Sequence, residues 1–323
     1  MLLIVAHHFS VHGGFNFPTG LMTLNHLWQQ FILMGGGLGN GIFVAVSGYF
    51  LINSTGLNLR RLSNLWIRMF FYSVAIYLLF TYTGFQPFSL KTLLKTFMPV
   101  TKPQWWFASA YFVMYLIHPY VNKLLHSFTR EEYRKFLLAI FLYWSVIPAL
   151  TKSDFGANAT INFLCIYSLA GYVRLYPEDF RKRNYILYGL AFIGINFLYA
   201  IATNVVPKLL IVTNSIGYFF GMMGPFTVLA VLSLLLFFKS LNIPHNKLIN
   251  VIASATFGVY LIHDNRLVRQ FLWHELFCNA SFQDSPYLIP YSLAVIMAVY
   301  ISCTLFELLR SRIFRALSRG KLS

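Results

Sequence analysis

Apolar stretches of near-bilayer length recur along this chain, and they leave few folds open to it. The clearest lie at 160–177, 184–203, 216–238 and 286–309, each close to the ~20 residues that cross a hydrocarbon core as a helix. Weaker or shorter stretches fall at 38–53, 64–84, 104–121, 135–151 and 248–263, and residues 1–12 read as half of another. Inside lipid a backbone polar group finds no water, so such a chain must satisfy its N–H and C=O groups within helices. The expected fold is all-α, a polytopic transmembrane bundle of about ten helices with the first one cut short. Composition agrees, with 58% hydrophobic and 11% charged residues, a balance that water-soluble domains rarely carry. No linker, composition shift or internal repeat divides the chain, so residues 1–323 read as one membrane domain.

Lysine and arginine give that bundle a direction. When its loops are assigned alternately to two sides, eighteen of the 25 basic residues fall on one side and seven on the other. Cytoplasmic loops carry the basic excess, so both termini are expected in the cytoplasm, with Lys91, Lys95, Lys102, Lys152, Lys208, Arg266 and Arg269 outside. The net charge of +16 then reports orientation and affinity for membrane lipids. Spread over short loops, it builds no basic face for nucleic acid, which is not an expected partner. Met1 opens directly into LLIVA without the basic region, longer apolar core and cleavage site of a signal peptide. A truncated start is the expectation, with a half-span packed inside the bundle as the alternative.

Familiar soluble chemistry is missing. Cys165, Cys278 and Cys303 form an odd set without CxxC spacing, which offers neither a disulfide framework nor a zinc site. There is no Walker loop, dinucleotide-binding GxGxxG, HExxH or GxSxG. No metal and no bound cofactor are expected.

Polar groups at membrane depth carry the functional reading, because an ionisable side chain there is costly and usually lines a cavity or pathway. His7 and His8 lie near the outer end of the first stretch, in LLIVAHHFSVH. Neighbours on a helix point about 100° apart, so one ring faces the bundle and the other a loop or interface. Both can be interfacial; alternatively one is a general base, since imidazole titrates near neutrality. Arg68, one turn inside its stretch, either snorkels to headgroups or joins Arg60 and Arg61 in a mouth for an anionic ligand. Ser47 and Gly48, in GNGIFVAVSGYFLI, fit close helix packing. Trp105 and Trp106 fit an interfacial girdle, and Pro119 a helix end or kink between His118 and Asn122. IASATFGVYLIHDN delivers His263 and Asp264 to the outer face, and a bond between these two requires the helix to end there.

Four stretches together resemble the acyltransferase type 3 family of bacterial membrane proteins, which O-acylate surface polysaccharides. They are LLIVAHHF, GNGIFVAVSGYFLI with LRRLSNLWIRMFFYS, QWWFASAYFVMYLIHPYVNKLL, and TFGVYLIHDN, spread over residues 2–265. The resemblance is to small Gram-positive members without a soluble domain. It implies that His8 is the histidine ending an Arg-x10-His motif whose Arg would precede Met1. It further implies that Arg68 is the family's arginine of the third helix, with Phe71 where a proline often stands, and that His263 closes the YLxH motif. The activity implied is transfer of an acyl group, acetyl or a similar one, from cytoplasmic acyl-CoA to a hydroxyl of an envelope glycan. Arg60, Arg61 and Arg68 would meet the donor's phosphates and Ser47 its acyl arm, while His8 acts as base or acyl carrier and His263 assists. A transporter or flippase of a glycan or lipid-linked intermediate is the alternative, against which stand the lack of a repeat and only nine acidic residues.

Overall fold

The computed structural model describes residues 1–18, 20–151, 153, 155–180, 183–206 and 219–319. Lys152, Arg181, Lys182, Lys208 and Lys321, used above for orientation, lie outside them, as do residues 216–218 of one apolar stretch. In chain order the helices are α1 (Leu2–Val11), α2 (Leu24–Leu33), α3 (Gly35–Leu51), α4 (Leu59–Tyr82), the short α5 (Leu90–Thr96) and α6 (Trp106–Ser127). They continue with α7 (Arg130–Thr151), α8 (Ala159–Leu175), α9 (Tyr185–Val205), α10 (Pro225–Ser240), α11 (Lys247–His263), the short α12 (Arg266–Gln270) and α13 (Leu288–Arg319). Five helical segments among the described residues are long and apolar enough to cross a membrane: Leu24–Leu51, Leu59–Tyr82, Arg130–Thr151, Tyr185–Val205 and Leu288–Leu317. The chain is an all-helical, multi-pass membrane protein.

Helix starts follow local capping chemistry. Asn158, Asn246 and Asn265 accept backbone N–H groups at the starts of α8, α11 and α12, and Thr129 with Glu132 forms a capping box on α7. In α7 a π-turn, Leu142–Val146, precedes Pro148, whose missing N–H leaves the ladder one donor short. Pro119 does not end α6, which runs on to Ser127. The carbonyl that Pro119 cannot bond is four residues back, on Tyr115, and His118 Nδ1–H donates to it.

The chain forms two compact units. One gathers Met1–Asn16, Ile67–Trp105 and Ile243–Ser323; the other gathers Phe17–Trp66 and Trp106–Asn242. In the second unit α3 packs on α8 and α10 through its small residues. A Cβ on Gly48 would lie 2.6 Å from the Tyr167 carbonyl oxygen, and one on Gly37 1.9 Å from that of Phe220, so the close-packing reading of this stretch holds. Buried amides join the helices here. Gln30 and Asn204 exchange hydrogen bonds of 3.0 and 2.8 Å. Asn122 Nδ2 donates to the Leu51 and Ser54 carbonyls at 2.7 and 2.8 Å, tying α6 to the turn that follows α3. Trp105 is fully buried and only Trp106 is exposed, so the girdle expected from the pair reduces to one ring.

In the first unit α13 packs against α1 and α11. Its outward stripe is Leu293, Met297, Ile301 and Leu305 at four-residue spacing, while Ser292 and Glu307 are buried. Apolar side chains outside and polar ones inside is the pattern of a helix in lipid.

Candidate active site

The site in the first unit is built where two helices end together. α1 stops at Val11 with His12 as its C-cap, and α11 stops at His263 with Asp264 as its C-cap. Asp264 leaves helical geometry with φ −93° and ψ 1°, so its carboxylate is released from the spacing that separates neighbours on a helix. His8, His263 and Asp264 are all buried.

Hydrogen bonds assign the protons. His263 Nδ1 lies 2.6 Å from the Val259 carbonyl oxygen, which can only accept, so His263 carries its proton there and presents a bare Nε2. That Nε2 is 2.9 Å from His8 Nδ1, and it can only accept in turn. His8 is therefore protonated on Nδ1, and its Nε2 holds the free lone pair. The chain from carbonyl to His263 to His8 fixes one tautomer and aims one basic nitrogen.

That nitrogen faces charge. Asp264 Oδ1 is 3.5 Å from His8 Nε2, 3.9 Å from His12 Nε2 and 3.3 Å from Arg269 Nη1, and it receives no hydrogen bond among the described residues. Arg269 Nη1 donates to His12 Nε2 at 2.8 Å. Burial, with Arg269 next, pulls the His12 imidazole down to about 3, so it stays neutral. Burial pushes the Asp264 carboxyl up to about 6, with Arg269 and Tyr260 pulling the other way. The ligand atoms of His8, His12 and Asp264 lie within 4.8 Å of one another, close enough to gather around a metal ion. Arg269 supplies a cation to two of the three, Asp264 and His12.

Beside this cluster Asn265 Nδ2 donates to Gln104 Oε1 at 2.9 Å, and Gln104 Nε2 to Ser73 Oγ at 2.8 Å. This relay ties the end of α11 to α4 and to the loop before α6.

The remaining residues singled out in the sequence fall elsewhere. Arg60, Arg61 and Arg68 are all on α4, which starts at Leu59 and so places Arg68 nine residues in, deeper than one turn. Arg61, Ser47, Tyr111 and Tyr115 line a cavity of about 340 Å³ in the second unit. There Ser47 Oγ donates to the Phe43 carbonyl at 2.9 Å and meets the Tyr111 hydroxyl at 3.2 Å. Arg60 is exposed and outside that lining. In the first unit Arg68 Nη1 is 3.9 Å from Glu307 Oε1. Glu307 is buried and held by Arg310 through two bonds of 2.7 and 2.6 Å, with the Tyr72 hydroxyl as a third donor.

Sequence reasoning passed over Arg269 and His12 as parts of the cluster, and over Glu307 altogether. A carboxylate within the 286–309 stretch was itself the signal for the last. No curated protein and no solved structure gives a significant match to the chain. A model of the acyltransferase-3 family, described as an acyltransferase domain, matches residues 1–307. With almost the whole chain matched, this protein belongs to the acyltransferase type 3 family of membrane proteins.

Proposed function

We propose that the protein is a membrane O-acetyltransferase, moving the acetyl group of cytoplasmic acetyl-CoA to a hydroxyl of a cell-envelope glycan on the outer side of the cell membrane. Both termini are cytoplasmic in this reading, and acyl-CoA is a substrate. The observation that carries it is the His8–His263 pair, whose fixed tautomer leaves His8 Nε2 unprotonated beside a buried carboxylate. Family membership supplies the reaction class.

The step balances simply. The glycan hydroxyl gives its proton to His8 Nε2 as its oxygen attacks the thioester carbonyl. The new C–O bond forms, the C–S bond breaks, and the departing thiolate recovers the proton from the imidazolium to leave as CoA thiol. Asp264, 3.5 Å from that nitrogen, stabilises the imidazolium while it exists, and Arg269 holds Asp264. His263 is a positioning residue, acting through His8. For the donor, Arg61 and Ser47 line a cavity with two tyrosines suited to an acyl arm, and Arg60 lies next to Arg61 on α4. Arg68 is assigned to donor phosphates by its match to the family's arginine.

Purified protein in proteoliposomes, given acetyl-CoA and a soluble glycan acceptor, tests the reading through release of CoA thiol. Acceptor-dependent thiol release supports a transferase. Glycan movement across the bilayer without thioester consumption would instead establish the transporter alternative.

A further inference from the structure

A polar cleft of about 580 Å³ opens in the first unit beside the histidine cluster, within the roughly 300–1,000 Å³ range of ligand pockets. Its cations are Lys95, Lys102, Arg266 and Arg269, and no Asp or Glu lines it. Lys95, Lys102 and Arg266 are exposed, and among the described residues none of these three has a carboxylate within ion-pair distance. Like charges gathered without a counter-ion raise one another's energy and focus a positive field into the cleft. Uncharged hydrogen-bonding groups share the wall: Gln86, Thr92 and Gln270, together with the Asn265–Gln104–Ser73 relay.

The cleft and the cluster share a wall. Asn265 follows Asp264 directly, and Arg269 lines the cleft while contacting Asp264 and His12. A ligand seated there touches Arg269, whose guanidinium reaches Asp264 and His12 of the cluster. Amide and hydroxyl groups suit sugar hydroxyls, and the unpaired cations ask for an anion. The segments that supply them, 91–102 and 266–269, are on the outer side by the charge bias of the chain, opposite the cytoplasmic donor. Resting on the transferase reading, we propose that this cleft binds the acceptor and that the acceptor is an anionic glycan, with carboxylate or phosphate groups beside the hydroxyl that is acylated.

Binding measured apart from catalysis tests this. The intact chain in phosphatidylcholine nanodiscs is titrated at low salt with tetragalacturonate, its carboxyl-reduced neutral form, a glycerol-phosphate oligomer and desulfo-CoA. One of the two anionic oligomers is expected to bind at least about tenfold more tightly than the neutral one. That preference should vanish in the triple variant Lys95→Gln/Lys102→Gln/Arg266→Gln, whose exposed positions leave folding intact, as checked by thermal unfolding. Neutral and anionic forms binding alike, no binding by either anionic oligomer, or a triple variant that weakens only desulfo-CoA would each overturn the assignment. His8→Ala separates the two claims. If it keeps transfer while the cleft still discriminates charge, the transferase reading falls and the cleft stands. If transfer depends on His8 while the cleft ignores charge, the cleft assignment falls alone.

Discussion

Replacing His263 with Phe keeps a ring in the buried space at the end of α11 and removes both of its nitrogens. His8 Nδ1–H then loses the acceptor that stands 2.9 Å away and faces an apolar edge. A buried donor left without a partner costs about 1–3 kcal/mol. His8 can relieve this only by turning its ring or by moving the proton to Nε2, and either removes the lone pair from the acceptor hydroxyl. At ~1.4 kcal/mol per factor of ten, the loss corresponds to roughly 5–150-fold in the rate of acyl transfer. The assay is initial CoA-thiol release at saturating acetyl-CoA and acceptor, with thermal unfolding to confirm a folded variant. His263→Gln, whose amide oxygen can accept from His8 Nδ1–H, is expected to recover most of the rate. Because His263 acts through His8, the double variant His8→Ala/His263→Phe should be no slower than His8→Ala alone. His263→Phe within twofold of wild type, or a double variant an order of magnitude below the single one, would refute the tautomer argument.

Three further outcomes are expected. Gly258→Ala would set a Cβ 2.3 Å from Glu307 Cδ, a carboxylate that Arg310 and Tyr72 prevent from moving aside; a loss of about 2–4 kcal/mol should appear as a lower Tm, while Gly194→Ala, with nothing within 4 Å, should not lower it. Asp264 has its carboxyl at about 6 against an ordinary 3.8, so the folded state binds more protons between these values. Its stabilising contribution, up to about 3 kcal/mol, is complete below pH 4 and is lost as pH rises through 6. Asp264→Asn should therefore flatten the fall in Tm between pH 4 and 7, and an unchanged slope would contradict the assignment. Arg61→Ala should raise KM for acetyl-CoA about tenfold with a smaller change in kcat; an unchanged KM would remove Arg61 from donor binding.

The helical class was legible because lipid imposes one local rule, and stretches such as 286–309 obey it residue by residue. His8 and His263 were legible for a related reason, as ionisable groups at the ends of apolar helices. Their meeting was not, because 255 positions separate them and only the packing of α1 and α11 brings the rings together. The same distance in sequence hid the pairing of Gln30 with Asn204. That pairing explains why α2, with buried Gln29 and Gln30, escaped a search for apolar runs. Trp105 followed an aromatic-belt expectation that holds for surfaces and failed because its ring is enclosed. Arg269 read as an outer-loop charge, since nothing local reveals that its guanidinium turns inward to Asp264 and His12.

Transfer of labelled acetyl from acetyl-CoA to glycan hydroxyls, by purified wild-type protein and by His8→Ala in equal folded amounts, bears most directly on the central claim. Removing the general base should lower the rate by ~10²–10⁴-fold while the variant keeps its helical content and Tm. A His8→Ala protein that forms ester at a rate within a few-fold of wild type would contradict the account.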